Sequence, residues 1–210
     1  MKKVSLKKQA EYLAKQDARL GAVIRRVGAL KRRQRQGHEY FQALVEEIIS
    51  QQLSGRVADV ITERFVALFG RAPAFPEPHE ILTASDGLLR SSGMSFSKAA
   101  YIKNIARAVH EGDLVLRELN VRTDEEVITQ LVGIKGIGRW TAEMFLMFSL
   151  GREDVFSAGD LGLKNAMIRL YGLRTEPDAA RMKKIASRWQ PYRTLACRYL
   201  WASLDNRLVL

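Results

Sequence analysis

One carboxylate and three glycines carry the most chemically suggestive spacing in the chain. Segment 123–164, TDEEVITQLVGIKGIGRWTAEMFLMFSLGREDVFSAGDLGLK, has Gly133-Ile134-Lys135-Gly136-Ile137-Gly138 at its centre and Asp160 twenty-two residues beyond the last glycine. Asp160 follows Ser157-Ala158-Gly159 and stands in front of a short helical pattern. Unpaired N–H groups at a helix start favour a negative charge there. Asp160 is therefore either a plain N-cap or a fixed charge that stabilises a cationic sugar as a base departs and that positions or deprotonates the attacking water. Glycosidases acting on sugar polymers use two carboxylates, because the leaving alkoxide must be protonated. A base already positive from alkylation leaves without an acid, so a lone carboxylate fits alkylated purines better than intact ones.

The glycines lie between two helical patterns. Thr123 followed by Glu126 reads as a capping box that opens the first. Trp140, Met144, Met147 and Phe148 set an apolar stripe in the second. The tight turn is either an ordinary glycine-rich loop or a hairpin whose backbone N–H groups a phosphate can approach. A dinucleotide fold would need a strand before the glycines; Glu and Gln at helical spacing stand there instead. A base hydrolysed from its sugar must first leave the duplex stack, and a cationic ring is held by aromatic faces. Trp140 and Trp201 suit that pocket, with Trp189 and Tyr192 near in sequence, although each suits core packing equally. Gln51-Gln52-Leu53-Ser54-Gly55 interrupts two strongly amphipathic stretches. It is either a polar surface turn or a tip that enters the base stack.

Composition narrows the partners. The chain has 210 residues, 47% hydrophobic, enough for one core or two small lobes. A single cysteine, Cys197, excludes a disulfide framework and a four-cysteine metal or iron–sulfur site. His38, His79 and His110 have no ligand spacing, and no Ser/His/Asp set or phosphate-loop lysine motif is found. With no apolar run approaching membrane length and no signal sequence at the start, a soluble intracellular protein is expected, cytoplasmic (nucleoid-associated if bacterial) or otherwise nuclear. The net charge is +11, and residues 1–40 alone hold 12 Lys/Arg against 3 Asp/Glu. Residues 181–207 hold 7 basic residues against Asp205. Two basic patches flanking a balanced body suggest a polyanion, with solubility as the alternative.

These residues need helices to position them. Helical patterns are expected over 4–20, ending near Gly21, and over 22–30, before the basic run Lys31-Arg32-Arg33-Gln34-Arg35. Phe41, Leu44, Val45, Ile48 and Ile49 form a core-facing stripe, resumed after Gly55 to Phe69. Prolines 73, 76 and 78 mark a loop. Further helices are expected over 81–89, after the small-residue turn Arg90-Ser91-Ser92-Gly93-Met94-Ser95, over 161–170 with Gly172 at C′, over 178–189, and from Pro191 at the first position of the last. About ten short helices and no sheet is the expectation: an all-α chain.

The sequence resembles the helix-hairpin-helix DNA glycosylases with a glycine/proline-rich loop and catalytic aspartate, most closely the 3-methyladenine DNA glycosylase II branch. The matching stretches are FQALVEEIISQQLSGRVA (41–58), LLRSSGMSFSKAAYI (88–102), LVGIKGIGRWTAEMFLMFSLGREDVFSAGDLGLKNA (131–166) and RWQPYRTLACRYLW (188–201). The resemblance implies a two-lobed all-α fold with its active site in the cleft between lobes. The division expected is basic N-terminal helices 1–40 packing with the C-terminal lobe, a lobe 41–122 carrying the intercalating loop, and a lobe 123–210 carrying hairpin and catalytic aspartate. Asp160 matches the catalytic aspartate, and Trp140 and Trp201 match aromatics of the base pocket. Gln52 is similar to the residue that fills the vacated stack, and Ser92 and Gly93 to a second insertion loop. Gly133, Gly136, Gly138 and Thr141 match the phosphate-binding hairpin, and the carbonyls of Val132, Ile134 and Ile137 the holders of a structural Na+ or K+. No other cofactor and no iron–sulfur cluster is implied. Strand-cutting relatives place a lysine two residues after the last hairpin glycine; Trp140 stands there, implying a hydrolytic enzyme without lyase activity. The substrate implied is double-stranded DNA bearing 3-methyladenine or 7-methylguanine, bound by a monomer with no membrane partner. The alternatives are deaminated or ethenoadenine bases, or a non-enzymatic module binding damaged DNA.

Overall fold

The computed structural model describes residues 4–31, 35, 37–70 and 73–205. Every regular element among them is helical, and no strand occurs. Most of the basic run after Lys31 lies outside the described residues. Contacts divide the chain into a terminal unit, residues 1–34 with 151–210, and a central unit, residues 35–150.

The central unit is built on α3 (Tyr40–Ser50), α4 (Gly55–Ala67) and α7 (Phe96–His110), with α5 (Pro78–Thr83) and α6 (Asp86–Ser91) between the last two. Phe41, Leu44, Val45, Ile48 and Ile49 of α3 are all buried, each burial contributing about 1.5–3 kcal/mol. Phe41, Phe65, Phe69 and Phe75 form linked ring contacts in the same core. One helix was expected over 81–89, but the chain breaks at Ala84, where the Ser85 hydroxyl caps a new start by accepting the Leu88 N–H. The hairpin follows as α8 (Asp124–Val132) and α9 (Arg139–Met144), extended by a π turn over Phe145–Ser149. The Thr123/Glu126 capping box forms.

The hairpin's place corrects the expected division. The boundary at 122/123 does not appear, because α8 and α9 pack within the central unit. Asn104 of α7 donates to Lys135 O at 3.0 Å, and Tyr40 of α3 meets Phe145 edge-on.

The terminal unit joins α1 (Leu6–Gln16) and α2 (Ala18–Val27) to α10 (Leu161–Tyr171), α11 (Ala179–Ala186) and α12 (Arg193–Asp205). The first helix ends at Asp17, not near Gly21. Asp17 is extended (φ −146°), and its side chain accepts the N–H groups of Arg19 and Leu20. Gly21 is instead a packing residue inside α2: a Cβ there would lie 3.1 Å from Ala14 O and 3.2 Å from Ala14 Cα. Asp17 is 4% exposed and also accepts from Tyr171 Oη and Trp189 Nε1. Burial opposes its ionisation, but the bonds from Tyr171, Leu20 N–H and Trp189 and the charge of Arg188 together hold its pKa below the usual value. Gly172 ends α10 in the left-handed conformation, as expected. The last helix begins at Arg193, two residues after Pro191, because its first turn is tied to the loop ahead of Asp160.

Candidate active site and nucleic-acid interface

The loop before Asp160 is held by the first turn of α12. Thr194 N–H donates to Glu153 O, its Oγ1 donates to Arg152 O at 2.7 Å, and the same oxygen accepts Val155 N–H at 3.0 Å. The Arg193 guanidinium spans both carboxylate oxygens of Asp154, at 2.7 and 2.9 Å, a geometry that fixes orientation. Cys197 lies behind the loop with its thiol toward Val155 O. Burial pushes that thiol's pKa up, so it is no nucleophile.

Two turns further along α12, Trp201 reaches the carboxylate. Its Nε1 donates to Asp160 Oδ1 at 2.9 Å, and the same oxygen accepts Leu163 N–H at 2.6 Å as the N-cap of α10. Asp160 keeps 8% of its surface. Gly159 before it and Leu161 after it are exposed, Leu161 to 66%, so the carboxylate lies at the edge of an open helix start. Gly162 completes the group: a Cβ there would sit 3.1 Å from Asp160 Oδ1 and 3.2 Å from Trp201 Cδ1. Sequence reasoning missed Leu161 and Gly162. An apolar residue off the buried stripe of Leu163, Ala166 and Met167 was the available signal for Leu161.

The hairpin belongs to the central unit, as does Trp140, which is 39% exposed. Its three glycines differ. Gly136 has φ 114°, and a Cβ on it would fall 2.4 Å from Tyr101 Cγ, so fold alone demands glycine there. Gly133 is an ordinary right-handed C-cap. Gly138 has φ −87° and an added Cβ meets nothing within 4 Å, so packing gives no reason for its missing side chain. Thr141 requires a correction as a phosphate residue, since it is 3% exposed and its Oγ1 accepts from Gln51 Nε2 at 3.3 Å. Only its backbone could meet a phosphate. Gln51 Nε2 also lies 3.4 Å from Gly136 O, which makes Gln51 a brace for the hairpin.

Gln52 is presented quite differently. Ser50 to Leu53 form a turn closed by Leu53 N–H to Ser50 O at 3.0 Å, with Gln51 at φ −49°, ψ 127° and Gln52 at φ 59°. These are type II values, where glycine or asparagine is usual; a glutamine there costs about 1–2 kcal/mol. Lys98 Nζ fixes the base of the turn by donating to Ile49 O and Gln51 O at 2.8 and 2.7 Å. Backbone strain thus holds an exposed amide outward beside exposed Leu53. The second insertion loop is corrected in part: Ser92 is 1% exposed and its hydroxyl is spent on Leu89 O at 2.7 Å, closing the end of α6. Gly93 is exposed, at φ 103°.

No described cluster of three or more His, Cys, Asp or Glu could hold a metal, and no described helix is long and apolar enough to cross a membrane.

Comparison with known proteins agrees with these features. The model of the HhH-GPD superfamily base excision DNA repair proteins matches residues 45–191. The chain is 35% identical over 199 residues to DNA-3-methyladenine glycosylase 1 of Schizosaccharomyces pombe, covering 94% of this chain and 87% of that protein. It is 36% identical over 172 residues to the putative DNA-3-methyladenine glycosylase YfjP of Bacillus subtilis, 80% of this chain but only 60% of that relative's length. Among solved structures, S. pombe 3-methyladenine DNA glycosylase (Mag1) in complex with abasic DNA superposes with a TM-score of 0.86 at 34% identity, covering 94% of this chain and 97% of that one.

Proposed function

Because the chain belongs to the HhH-GPD superfamily of base excision DNA repair proteins, we propose that it is a monofunctional DNA glycosylase releasing 3-methyladenine and 7-methylguanine from duplex DNA. The observation that carries this reading is Asp160 oriented by Leu163 N–H and Trp201 Nε1 at a solvent-facing helix start. Its negative charge offsets the positive charge that develops on the sugar as the C1′–N bond breaks, while water adds to C1′ and loses a proton to solvent. The base takes the bonding electrons; already cationic, it leaves neutral.

The other residues extract and hold the nucleotide. Gln52, already strained outward, enters the space the nucleotide vacates, with Gly93 at a second tip. Backbone N–H groups around Gly136 and Gly138 take a phosphate, and the bare Cα of Gly138 allows the close approach. Trp201, whose Nε1 holds Asp160, supplies aromatic surface to the cationic ring. A structural Na+ or K+ belongs to the same proposal. Lys135 O, Gly136 O and Ile134 O already accept from Asn104, Gln51 and the Ile137 N–H; a carbonyl has a second lone pair, and the neutral carbonyls of Val132, Ile134 and Ile137 would suit a monovalent ion. Bound there, it would add positive charge near the phosphate. Replacing K+ by tetramethylammonium at constant ionic strength should then weaken DNA binding.

The test is release of labelled bases from alkylated duplex DNA. Asp160→Asn should lower release by a thousandfold or more, of the order expected for a group acting in the transition state, while DNA affinity is kept or improved. Loss of binding together with release would make Asp160 a structural cap, and equal release by both proteins would leave a binding module. Strands should stay intact until alkali is added, since Trp140 offers no amine for a Schiff base; prompt breakage by the protein alone would refute the monofunctional assignment.

A further inference from the structure

Within the terminal unit, α1 and α2 reach the segment around Asp160 at three points. Gln9 of α1, 2% exposed, donates from Nε2 to Glu153 Oε1 at 3.0 Å, and Glu153 O in turn accepts the N–H of Thr194. Tyr12 donates from Oη to Gln190 O at 2.8 Å and meets the Tyr192 ring edge-on. Asp17, between the two helices, makes the third contact, and its two oxygens have separate partners. Oδ1 accepts the N–H groups of Arg19 and Leu20 and so caps α2, while Oδ2 accepts Tyr171 Oη and, at 3.1 Å, Trp189 Nε1. A helix cap needs one acceptor, which an exposed serine or asparagine supplies as well. The cap alone therefore does not account for a buried carboxylate whose second oxygen gathers two more donors.

Both partners of Oδ2 lead to Asp160. Tyr171 is the last residue of α10, the helix that Asp160 caps at its other end. Trp189 is fully buried and stands against Phe156, ring centroids 5.9 Å apart at 70°. Phe156 belongs to the loop that ends in Asp160, where Val155, Phe156 and Ser157 are all buried. Beyond Trp189 the chain enters α12, which brings Trp201 to Asp160 Oδ1.

Resting on the glycosylase reading, we propose that Asp17 is a positioning residue for base release: by fixing Tyr171 and Trp189 relative to each other, it holds the Asp160 carboxylate and the Trp201 N–H in register through α10 and the Phe156 wall. The Asp17 carboxylate takes no part in the chemistry; it acts on placement. Misplacing a reacting group by about 1 Å can slow a reaction about a hundredfold, and a close-packed interior has few voids to absorb such a shift. Gln9 and Tyr12 brace the same region from α1, so the N-terminal helical pair is part of the scaffold of the active site as well as a carrier of positive charge.

Asp17→Asn discriminates between cap and tie. Asparagine keeps an oxygen to cap α2, but its amide donates where Oδ2 accepted and cannot receive the Trp189 N–H. The three tryptophans give three indole N–H signals in the magnetic resonance spectrum of the full chain, and Trp201→Phe identifies that of Trp201. Below the melting transition of both proteins, Asp17→Asn should slow single-turnover release of 7-methylguanine about tenfold or more while DNA affinity changes by less than about twofold. The Trp201 signal should move together with that of Trp189. A purely structural Asp17 would lower the melting temperature alone, so wild-type release or an unmoved Trp201 signal in folded Asp17→Asn overturns the proposal. Should Asp17→Asn fail to fold, Tyr171→Phe decides, since it deletes one hydroxyl from the same tie. It should slow release about threefold to tenfold and move the Trp201 signal, and a wild-type rate or an unmoved signal overturns the assignment. A wild type that releases no base removes the glycosylase reading itself, whereas a Trp201 signal that still moves leaves the coupling of Asp17 to the Asp160–Trp201 pair standing.

Discussion

At the scale of single residues, the group proposed to act on the sugar is a carboxylate whose orientation is set by neighbours with no charge of their own. Trp201→Phe keeps the ring and deletes the N–H that reaches Asp160 Oδ1. Loss of one orienting donor should slow single-turnover base release about tenfold to a hundredfold, with little change in DNA affinity. Gly162→Ala separates stability from activity. Alanine is favoured over glycine inside a helix by about 0.5–1 kcal/mol, but the new methyl would press on Asp160 Oδ1 at 3.1 Å and on the Trp201 ring. The two effects on stability are of similar size and opposite sign. The melting temperature should therefore move by no more than a few degrees while release slows at least tenfold; an unchanged rate would mean that the Asp160–Trp201 pair tolerates displacement. Asp160 was legible in the sequence because an N-cap is local chemistry. Its pairing with Trp201 spans 41 residues and depends on how α10 meets α12, which no local pattern encodes.

At the scale of elements, the hairpin glycines that look alike in sequence are asked for different things. Gly136→Ala must relieve both a φ of 114° and a contact with Tyr101 far inside van der Waals distance, and should destabilise by about 2–3 kcal/mol. Gly138→Ala meets nothing in the protein and loses only the modest advantage of glycine over alanine at an N-cap, under about 1 kcal/mol. Its effect should instead appear as weaker DNA binding. Denaturant unfolding alongside DNA titration would separate the two, and normal binding by Gly138→Ala would remove the phosphate role of that turn. Periodicity exposed the α3 stripe, and side-chain chemistry exposed the Thr123/Glu126 box and Gly172, because each acts within one or two turns. The same rules failed where a distant partner decided the outcome. Asp17, not Gly21, ends the first helix because Tyr171 and Trp189 also bind its carboxylate, and Ser92 turns inward to close α6 instead of outward to a ligand.

At the scale of the molecule, charge is divided more sharply than the linear sequence suggests. The terminal unit holds 22 Lys/Arg against 8 Asp/Glu, a balance of +14, while the central unit holds 12 against 15, a balance of −3. The basic stretches at the two ends of the chain thus belong to one body. Within it, Arg19, Arg181, Lys184 and Arg188 line one open cavity of about 830 Å³. Such a field acts at a distance, raising encounter rates with a polyanion and fading as salt shortens its reach from about 10 Å at 0.1 M to about 3 Å at 1 M. The hairpin's unit has no net attraction to add, so the phosphate contacts proposed for it would operate only once DNA has arrived. Arg181 and Lys184 are exposed, and replacing both with glutamine should change stability by no more than about 0.5 kcal/mol each. The double variant should associate with duplex DNA several-fold more slowly at low salt, with a shallower salt dependence, and should match the wild type near about 1 M, where screening removes the difference. Dissociation, governed by short-range contacts, should change less. Stopped-flow association across a salt series makes the comparison. Rates that coincide at every salt concentration would show that capture of DNA does not draw on the positive charge of this cavity.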